Sequence, residues 1–418
     1  MPLSRRDFLR SSAMGVSVSF LAPNLMPGLL AAQTSGRILV ILQLAGGNDG
    51  INTFIPYADS RYRSLRPTLS IPESQILMID DRFGLHPSLA KIRDLYESGR
   101  LTFVNDVGFS SLDRSHFRCQ DVWQTADDSY GQVQRGIRGW LGRYADLYLG
   151  GIDSPLTTVS IGNRNALGLV AGDVLPTAVT DAGSFEILTD PRYPEDRDPY
   201  VATVRSVYAG TPLSGDLEVI RSQGTETLRA IDLLKTIPGP SASAGYPASA
   251  LGRAFQLTAQ LIAGEVGTHA VWVSTGGYDT HSTQANTHAT LLLDVSESLA
   301  AFHDDLADRR LSDRVLVLAW SEFGRRVQEN ASQGTDHGKA GTVFLMGDRV
   351  RGGTFYGEAP SLSDLDNGDL KTRIDFRSVY WTVIEDWLGN DPLPVLNAQY
   401  ENLGFIEKAK PRRRSIAR

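Results

Sequence analysis

From Arg37 to Leu44 the chain runs Arg-Ile-Leu-Val-Ile-Leu-Gln-Leu, an apolar stretch of the length and character of a strand buried on both faces of a parallel sheet. Similar stretches follow at Leu101 to Val107, Thr157 to Ile161, Ala270 to Thr275, Val315 to Trp320 and Thr342 to Met346. Between most of them the pattern turns helical: Pro87 to Ser98 (stopped by Gly99), Ser115 to Thr125, Leu251 to Glu265, His288 to Asp308 and Arg373 to Leu388. Strands alternating with helices predict an α/β fold, a three-layer sandwich with a central mostly parallel sheet and helices on both faces. The stretch 180–250 breaks the rhythm. It is polar, closes on Pro238-Gly239-Pro240-Ser241-Ala242-Ser243 and holds two helical patterns near 197–208 and 214–236. It reads as a helical insertion or cap within a single domain spanning 37–407.

Ahead of the first strand the pattern changes in kind. Ser4-Arg5-Arg6-Asp7-Phe8-Leu9-Arg10 has the form of a twin-arginine export signal. The apolar segment behind it, Ala13 to Ala32, is broken by Gly15, Pro23, Pro27 and Gly28, so it does not supply the roughly 20 continuous apolar residues of a membrane span. It ends at Leu30-Ala31-Ala32-Gln33, an acceptable small-residue cleavage site. Residues 1–32 are therefore expected to be a signal peptide read by the twin-arginine translocase, and the protein periplasmic or secreted. No stable membrane span is expected elsewhere.

Charge and cysteine usage narrow the partners. The net charge is −7, and the one basic run is the C-terminal tail, Lys408-Ala409-Lys410-Pro411-Arg412-Arg413-Arg414. That balance argues against nucleic-acid binding. With Cys119 as the single cysteine, no internal disulfide is possible, so stability must come from the core.

The chemistry-bearing residues gather where strands end or begin, the edge at which open α/β sheets bind ligands. The first strand opens into Ala45-Gly46-Gly47-Asn48-Asp49-Gly50. A middle strand opens into Gly276-Gly277-Tyr278-Asp279-Thr280-His281, and the next into Ser321-Glu322-Phe323-Gly324-Arg325. Gly334-Thr335-Asp336-His337-Gly338 precedes the last. Carboxylates and imidazoles converging in one cleft suit a divalent ion, here zinc, manganese or calcium. Each residue also has a plainer role. Alone, Asp49 fits better as a satisfier of backbone amides in its turn. Asp279 and His281 fit a turn, and Glu322 an ion pair with Arg325 or Arg326. The constellation carries the inference.

Ser115-His116-Phe117-Arg118 follows Asp113-Arg114 at an expected helix start. Ser115 there is most simply an N-cap. The same position lets free amides and the helix dipole favour an anion or an activated hydroxyl, with Arg114 and Arg118 as candidate anion holders. Ser115, His116, Arg114 and Arg118 are accordingly the candidate catalytic group. Asp49, Asp279, His281, Glu322, Asp336 and His337 are the candidate metal group.

Together, the export signal and these motifs in this order resemble a widespread bacterial family of exported proteins of unknown function, distantly related to the alkaline phosphatase and sulfatase superfamily. The resemblance implies an alkaline-phosphatase-like sheet with a metal site at its strand ends. By position it makes Asp49 the first ligand, places Ser115 in the nucleophile's slot, and makes Asp279, His281 and His337 later ligands. Glu322-Phe323 stands where the superfamily has an Asp-His pair, so one nitrogen ligand is missing, to be replaced by His116 or Asp336. The sulfatase hallmark Cys-x-Pro-x-Arg is absent: Cys119 is followed by Gln120-Asp121-Val122. A formylglycine sulfatase is therefore not expected. The resemblance implies a metal-dependent hydrolase acting on a small anionic phosphate, phosphonate or sulfate ester. The alternative is a non-catalytic binding or assembly protein that keeps the fold around a degenerate metal site.

Overall fold

Side-chain alternation along the first strand divides the interior in two. In the computed structural model, which describes residues 36–129, 138–210, 214–241 and 244–408, β1 (Ile38–Leu44) is buried at every position. Leu39 and Ile41 face one core, and Ile38, Val40, Leu42 and Leu44 the other, because successive strand residues point to opposite faces. The expected signal at 1–32 and the tail from 409 onward lie outside the described residues.

The remaining strands of the main sheet are β2 (Leu101–Gly108), β3 (Thr158–Ile161), β4 (Thr177–Val179), β5 (Ala270–Thr275), β6 (Val315–Trp320), β7 (Gly341–Met346), β8 (Phe355–Tyr356) and β9 (Ile374–Asp375). Their order is β8-β2-β7-β6-β1-β5-β3-β4, with β9 also paired to β2. Every pairing is parallel except those of β7, which runs antiparallel to β2 and β6. The six apolar stretches of the sequence all become strands of this sheet. β4 escapes notice in the sequence because it has only three residues, two of them half-buried.

Two helical layers cover the sheet. On one side α2 (His116–Thr125), α3 (Trp140–Tyr148) and α8 (Phe376–Thr382) bring large aromatics inward. Trp123 stacks on Trp320 with ring centres 4.8 Å apart, and Trp140 on Tyr380 at 4.2 Å. On the other side α1 (Ala90–Glu97), α6 (Ala250–Ala263) and α7 (Gln284–Asp308) contribute Leu95, Phe255, Leu292 and Phe302. Each such side chain is worth about 2–3 kcal/mol on burial. The fold is therefore α/β, a mixed, mostly parallel sheet between helical layers, as the sequence predicts. In the stretch 180–250, α4 (Arg197–Tyr208) precedes α5 (Asp216–Leu234). α5 packs Ala230 and Leu234 with Val159, Val179, Leu257 and Leu261, covering the β3–β4 end of the sheet.

The helix expected over Arg373 to Leu388 starts later than its pattern suggests. Asp375 accepts a hydrogen bond from the Arg377 amide at 2.9 Å and caps α8, so Ile374 and Asp375 stay extended and pair with β2. Capping by an aspartate sets the start more sharply than apolar periodicity can.

β2 carries a bulge opposite Gly341 and Val343, with Asp106 in the left-handed region at φ 57°. Burial pushes the Asp106 carboxyl up to about 7, against a weaker opposing pull from Arg373. In the unfolded chain the ordinary value is 3.8, so between these values the folded protein holds a proton that the unfolded chain releases. Stability from this group therefore falls as pH rises from 4 to 7. Asp106→Asn, which tolerates left-handed backbone, is expected to stabilise the protein at pH 8 by roughly 2–4 kcal/mol, with little effect near pH 4. Urea unfolding of both proteins at the two pH values checks this.

Candidate metal centre

The direction of β7 assembles the site. β1, β2, β5 and β6 are parallel and end at one edge, while β7, running the other way, begins there. The loop before β7 therefore meets the loops after the other strands. Gly46 lets two of these loops touch: its φ is +121°, and a Cβ there would lie 2.5 Å from the Asp279 amide nitrogen.

Arg325 ties the loops together. Its side chain is fully buried. Nε donates to the Gly47 carbonyl at 2.6 Å and Nη1 to that of Thr335 at 2.8 Å. Nη2 serves the carbonyls of Gly46 and Tyr278 and, at 2.7 Å, Asp279 Oδ1. One planar fork thus fixes the segments after β1, β5 and β6 and the one before β7.

At the centre, His337 Nε2 lies 3.0 Å from His116 Nε2, 2.9 Å from His281 Nε2 and 3.1 Å from Asp279 Oδ1. Asp279 Oδ1 is also 3.0 Å from His281 Nε2 and 3.4 Å from His116 Nε2. The ligand atoms of His116, Asp279 and His337 all fall within 4.8 Å of one another. The other ring nitrogen of each histidine faces an oxygen. His116 Nδ1 meets Glu322 Oε1 at 2.8 Å, His281 Nδ1 meets Asp336 Oδ1 at 3.3 Å, and His337 Nδ1 meets the Arg114 carbonyl at 2.9 Å. Those oxygens call for Nδ1–H, so in the neutral tautomers His337 Nε2 presents its lone pair to those of His116 and His281, and all three face a carboxylate oxygen. Such crowding of acceptors is unfavourable without a cation among them.

A divalent ion fits this donor set. Tetrahedral bonds of about 2.0–2.1 Å place ligand atoms about 3.3 Å apart, close to the separations among His116, Asp279 and His337. An imidazole pinned at its far nitrogen by a carboxylate or carbonyl is the usual support of a metal-binding histidine. Three nitrogen donors suit zinc or manganese better than calcium, which takes oxygen. The Glu322 hydrogen bond raises the pKa of the His116 imidazole. His337, by contrast, is lowered by burial. Burial works against ionisation of Asp279, but the hydrogen bond and charge of Arg325 outweigh it and hold the carboxyl well below its usual range. With Asp279 and His281 about half exposed, the cluster is open to solvent.

Several expected roles are redistributed. Asp49 lies away from the cluster: its Oδ2 pairs with Arg66 Nη1 and accepts from Gln284 Nε2, both at 2.5 Å, and the residue caps the turn Gly50–Thr53. Burial alone would raise its pKa, but Arg66 keeps it low, so a carboxylate already committed to an arginine replaces the expected ligand. Glu322 stands behind His116, its Oε1 also accepting from the Gly46 amide and Gln120 Nε2 at 2.9 Å. It orients the His116 ring and does not face the centre. Asp336 does the same for His281 and takes a bond from Asn330 at 3.1 Å. Of the two residues expected to replace the missing nitrogen, His116 places its Nε2 beside His337 Nε2 and Asp279 Oδ1. Ser115 is the N-cap of α2, exposed, and accepts from the Arg118 amide at 3.5 Å. Neither arginine is poised for an anion, because Arg114 pairs with Asp369 and Arg118 with Asp113.

Sequence reasoning missed Arg66, Gln284 and Asp369. Arg66 and Asp369 sit in polar stretches that resemble any solvated loop, and Gln284 begins an ordinary helix, so none carries a local signal. The arginine of Ser-Glu-Phe-Gly-Arg could have been singled out, since it lies among glycine-rich loops whose carbonyls need donors.

Among solved structures, a phosphonate monoester hydrolase from Silicibacter pomeroyi is similar over 90% of this chain and 78% of its own, at 9% identity and a TM-score of 0.41. A sulfatase from Pseudoalteromonas sp. is similar over 91% and 75%, at 10% identity and 0.39. The C-terminal periplasmic domain of EcEptC from Escherichia coli, in complex with zinc, is similar over 75% and 73%, at 9% identity and 0.33. No curated protein matches the sequence. Residues 243–378, which include Asp279, His281, Glu322, Arg325, Asp336 and His337, match the family described as a protein of unknown function (DUF1501).

Proposed function

We propose that this protein is an exported hydrolase that uses one zinc or manganese ion to cleave a phosphate, phosphonate or sulfate ester. The convergence of three imidazole Nε2 atoms on Asp279 Oδ1, each ring pinned at Nδ1 by an oxygen, carries the reading. His116, His281, His337 and Asp279 would hold the ion. When bound, it supplies a Lewis acid for an ester oxygen and acidifies a water. Asp279 enters already ionised. Glu322, Asp336 and the Arg114 carbonyl keep the three lone pairs aimed inward. Ser115, beside the ligand His116 and exposed, occupies the slot in which the family resemblance puts a nucleophile. The amides opening α2 favour the anionic group of a substrate. Export through the twin-arginine pathway rests on Ser4 to Arg10.

A second reading has one observation in its favour. The pairing of Arg114 and Arg118 with carboxylates leaves the expected anion holders engaged, as in a protein that binds metal without catalysis. Elemental mass spectrometry of exported, untagged protein should find about one equivalent of zinc or manganese, and Glu322→Gln should weaken metal affinity by roughly 10–100-fold. Hydrolysis of aryl phosphate, phosphonate or sulfate, abolished by chelation, supports the enzyme; metal without turnover on any of them supports the binding protein. Well-folded protein free of metal overturns both.

A further inference from the structure

One of the three imidazoles is held differently from the others. His116 and His281 face side-chain carboxylates, whereas His337 gives its Nδ1 proton to a backbone carbonyl, that of Arg114. Arg114 is in the left-handed region at φ 64°, which a residue with a Cβ adopts only at a cost. The side chain anchors this turn: the Arg114 guanidinium donates to Asp369 Oδ2, and the Asp369 side chain has no exposed surface. Arg326 Nε approaches the other oxygen of Asp369 at 3.5 Å. Asp369 opens the second strand of a hairpin, Leu365–Asp366 paired with Asp369–Leu370. Its turn, Asn367-Gly368, has positive φ at both residues, 53° and 88°, the mark of a tight two-residue hairpin turn. The hairpin is tied to the frame of the site next to Arg325: Arg326 Nη2 donates to the Asn367 carbonyl at 2.8 Å, and the Val327 amide to that of Gly368 at 3.3 Å.

An ion pair between a buried carboxylate and a partly exposed arginine is weak support for stability in itself. This one ends on a strained turn whose carbonyl touches a ligand, and whose next residue but one is the ligand His116. We propose that Asp369 is a positioning residue of the metal centre: through Arg114 it holds the left-handed turn whose carbonyl fixes the tautomer and direction of His337. The proposal rests on the metal reading above. The hairpin is then a strut for the third imidazole, standing in for the carboxylate that the other two have directly.

Cobalt titration of metal-free protein, followed by visible absorption, with zinc competition for affinity, tests it. Asp369→Asn and Arg114→Ala should each weaken binding by roughly 10–100-fold and change the cobalt spectrum. Arg114→Asn, whose side chain favours left-handed backbone, should recover most of the affinity lost in Arg114→Ala. Thermal unfolding without metal verifies that each variant folds; if Asp369→Asn does not, the Arg114 pair decides. Unchanged affinity and spectrum in Asp369→Asn or in Arg114→Ala overturns the positioning role and leaves the metal reading standing. Failure of Arg114→Asn to recover affinity also overturns it, because the turn would not be what the ion pair maintains. A wild-type protein that binds neither ion overturns the metal reading and this proposal together.

Discussion

His337→Ala is expected to purify with essentially no zinc or manganese, while folding as well as the wild-type protein does without metal. His337 Nε2 is the atom nearest to the rest of the cluster, within 3.1 Å of His116 Nε2, His281 Nε2 and Asp279 Oδ1. Removing it deletes a ligand, so the loss should exceed the 10–100-fold typical of an outer partner. The fold should suffer little. The side chain is 22% exposed, and its removal relieves a set of acceptors that face one another when no cation is present, which keeps the cost within about 1–2 kcal/mol. A thermal shift assay separates the two effects. Zinc at about 1,000 times its dissociation constant should stabilise the wild-type protein by about 4 kcal/mol and the variant hardly at all. Full metal occupancy in the variant would remove His337 from the site.

Arg325→Lys is expected to be strongly destabilising despite keeping the charge, costing about 3–5 kcal/mol, the range for breaking a buried, paired charge. The guanidinium serves the carbonyls of Gly46, Gly47, Tyr278 and Thr335 together with the Asp279 carboxylate. An ammonium has three donors and no planar fork, so at least two of those five acceptors lose their bond. Each unsatisfied buried group costs about 1–3 kcal/mol. Because the acceptors belong to separate loops, the variant should lose metal affinity as well as stability. Urea unfolding and metal content, measured on one preparation, check both. Wild-type stability in the variant would mean that the loops hold together without this residue.

How much of the site the sequence disclosed can be seen by setting Asp49 beside Glu322. Both are carboxylates just after apolar strands, in short polar loops, and both read as ligands. Asp49 is committed to Arg66, 17 residues away in sequence, and to Gln284, 235 away. Glu322 is turned toward His116, 206 residues earlier. Neither partner leaves a trace in the local sequence, and the choice between ligand and support depends on which partner is present. His116 shows the converse: its place at a helix start was legible, but not that its ring reaches His337 Nε2 and Asp279 Oδ1.

The sequence by itself determined the six main strands, most of the helices and the gathering of polar motifs at strand ends, because apolar runs, helical spacing and glycine-flanked turns are short-range signals. Only the tertiary structure decided which atoms meet. An apolar run carries no direction, so the reversal of β7, which brings His337 to the edge where the other strands end, could not be read from residues 341–346. The burial of Arg325 among four carbonyls, and the inward aim of the three imidazoles, depend on contacts between loops far apart in the chain, fixed only once the sheet has formed.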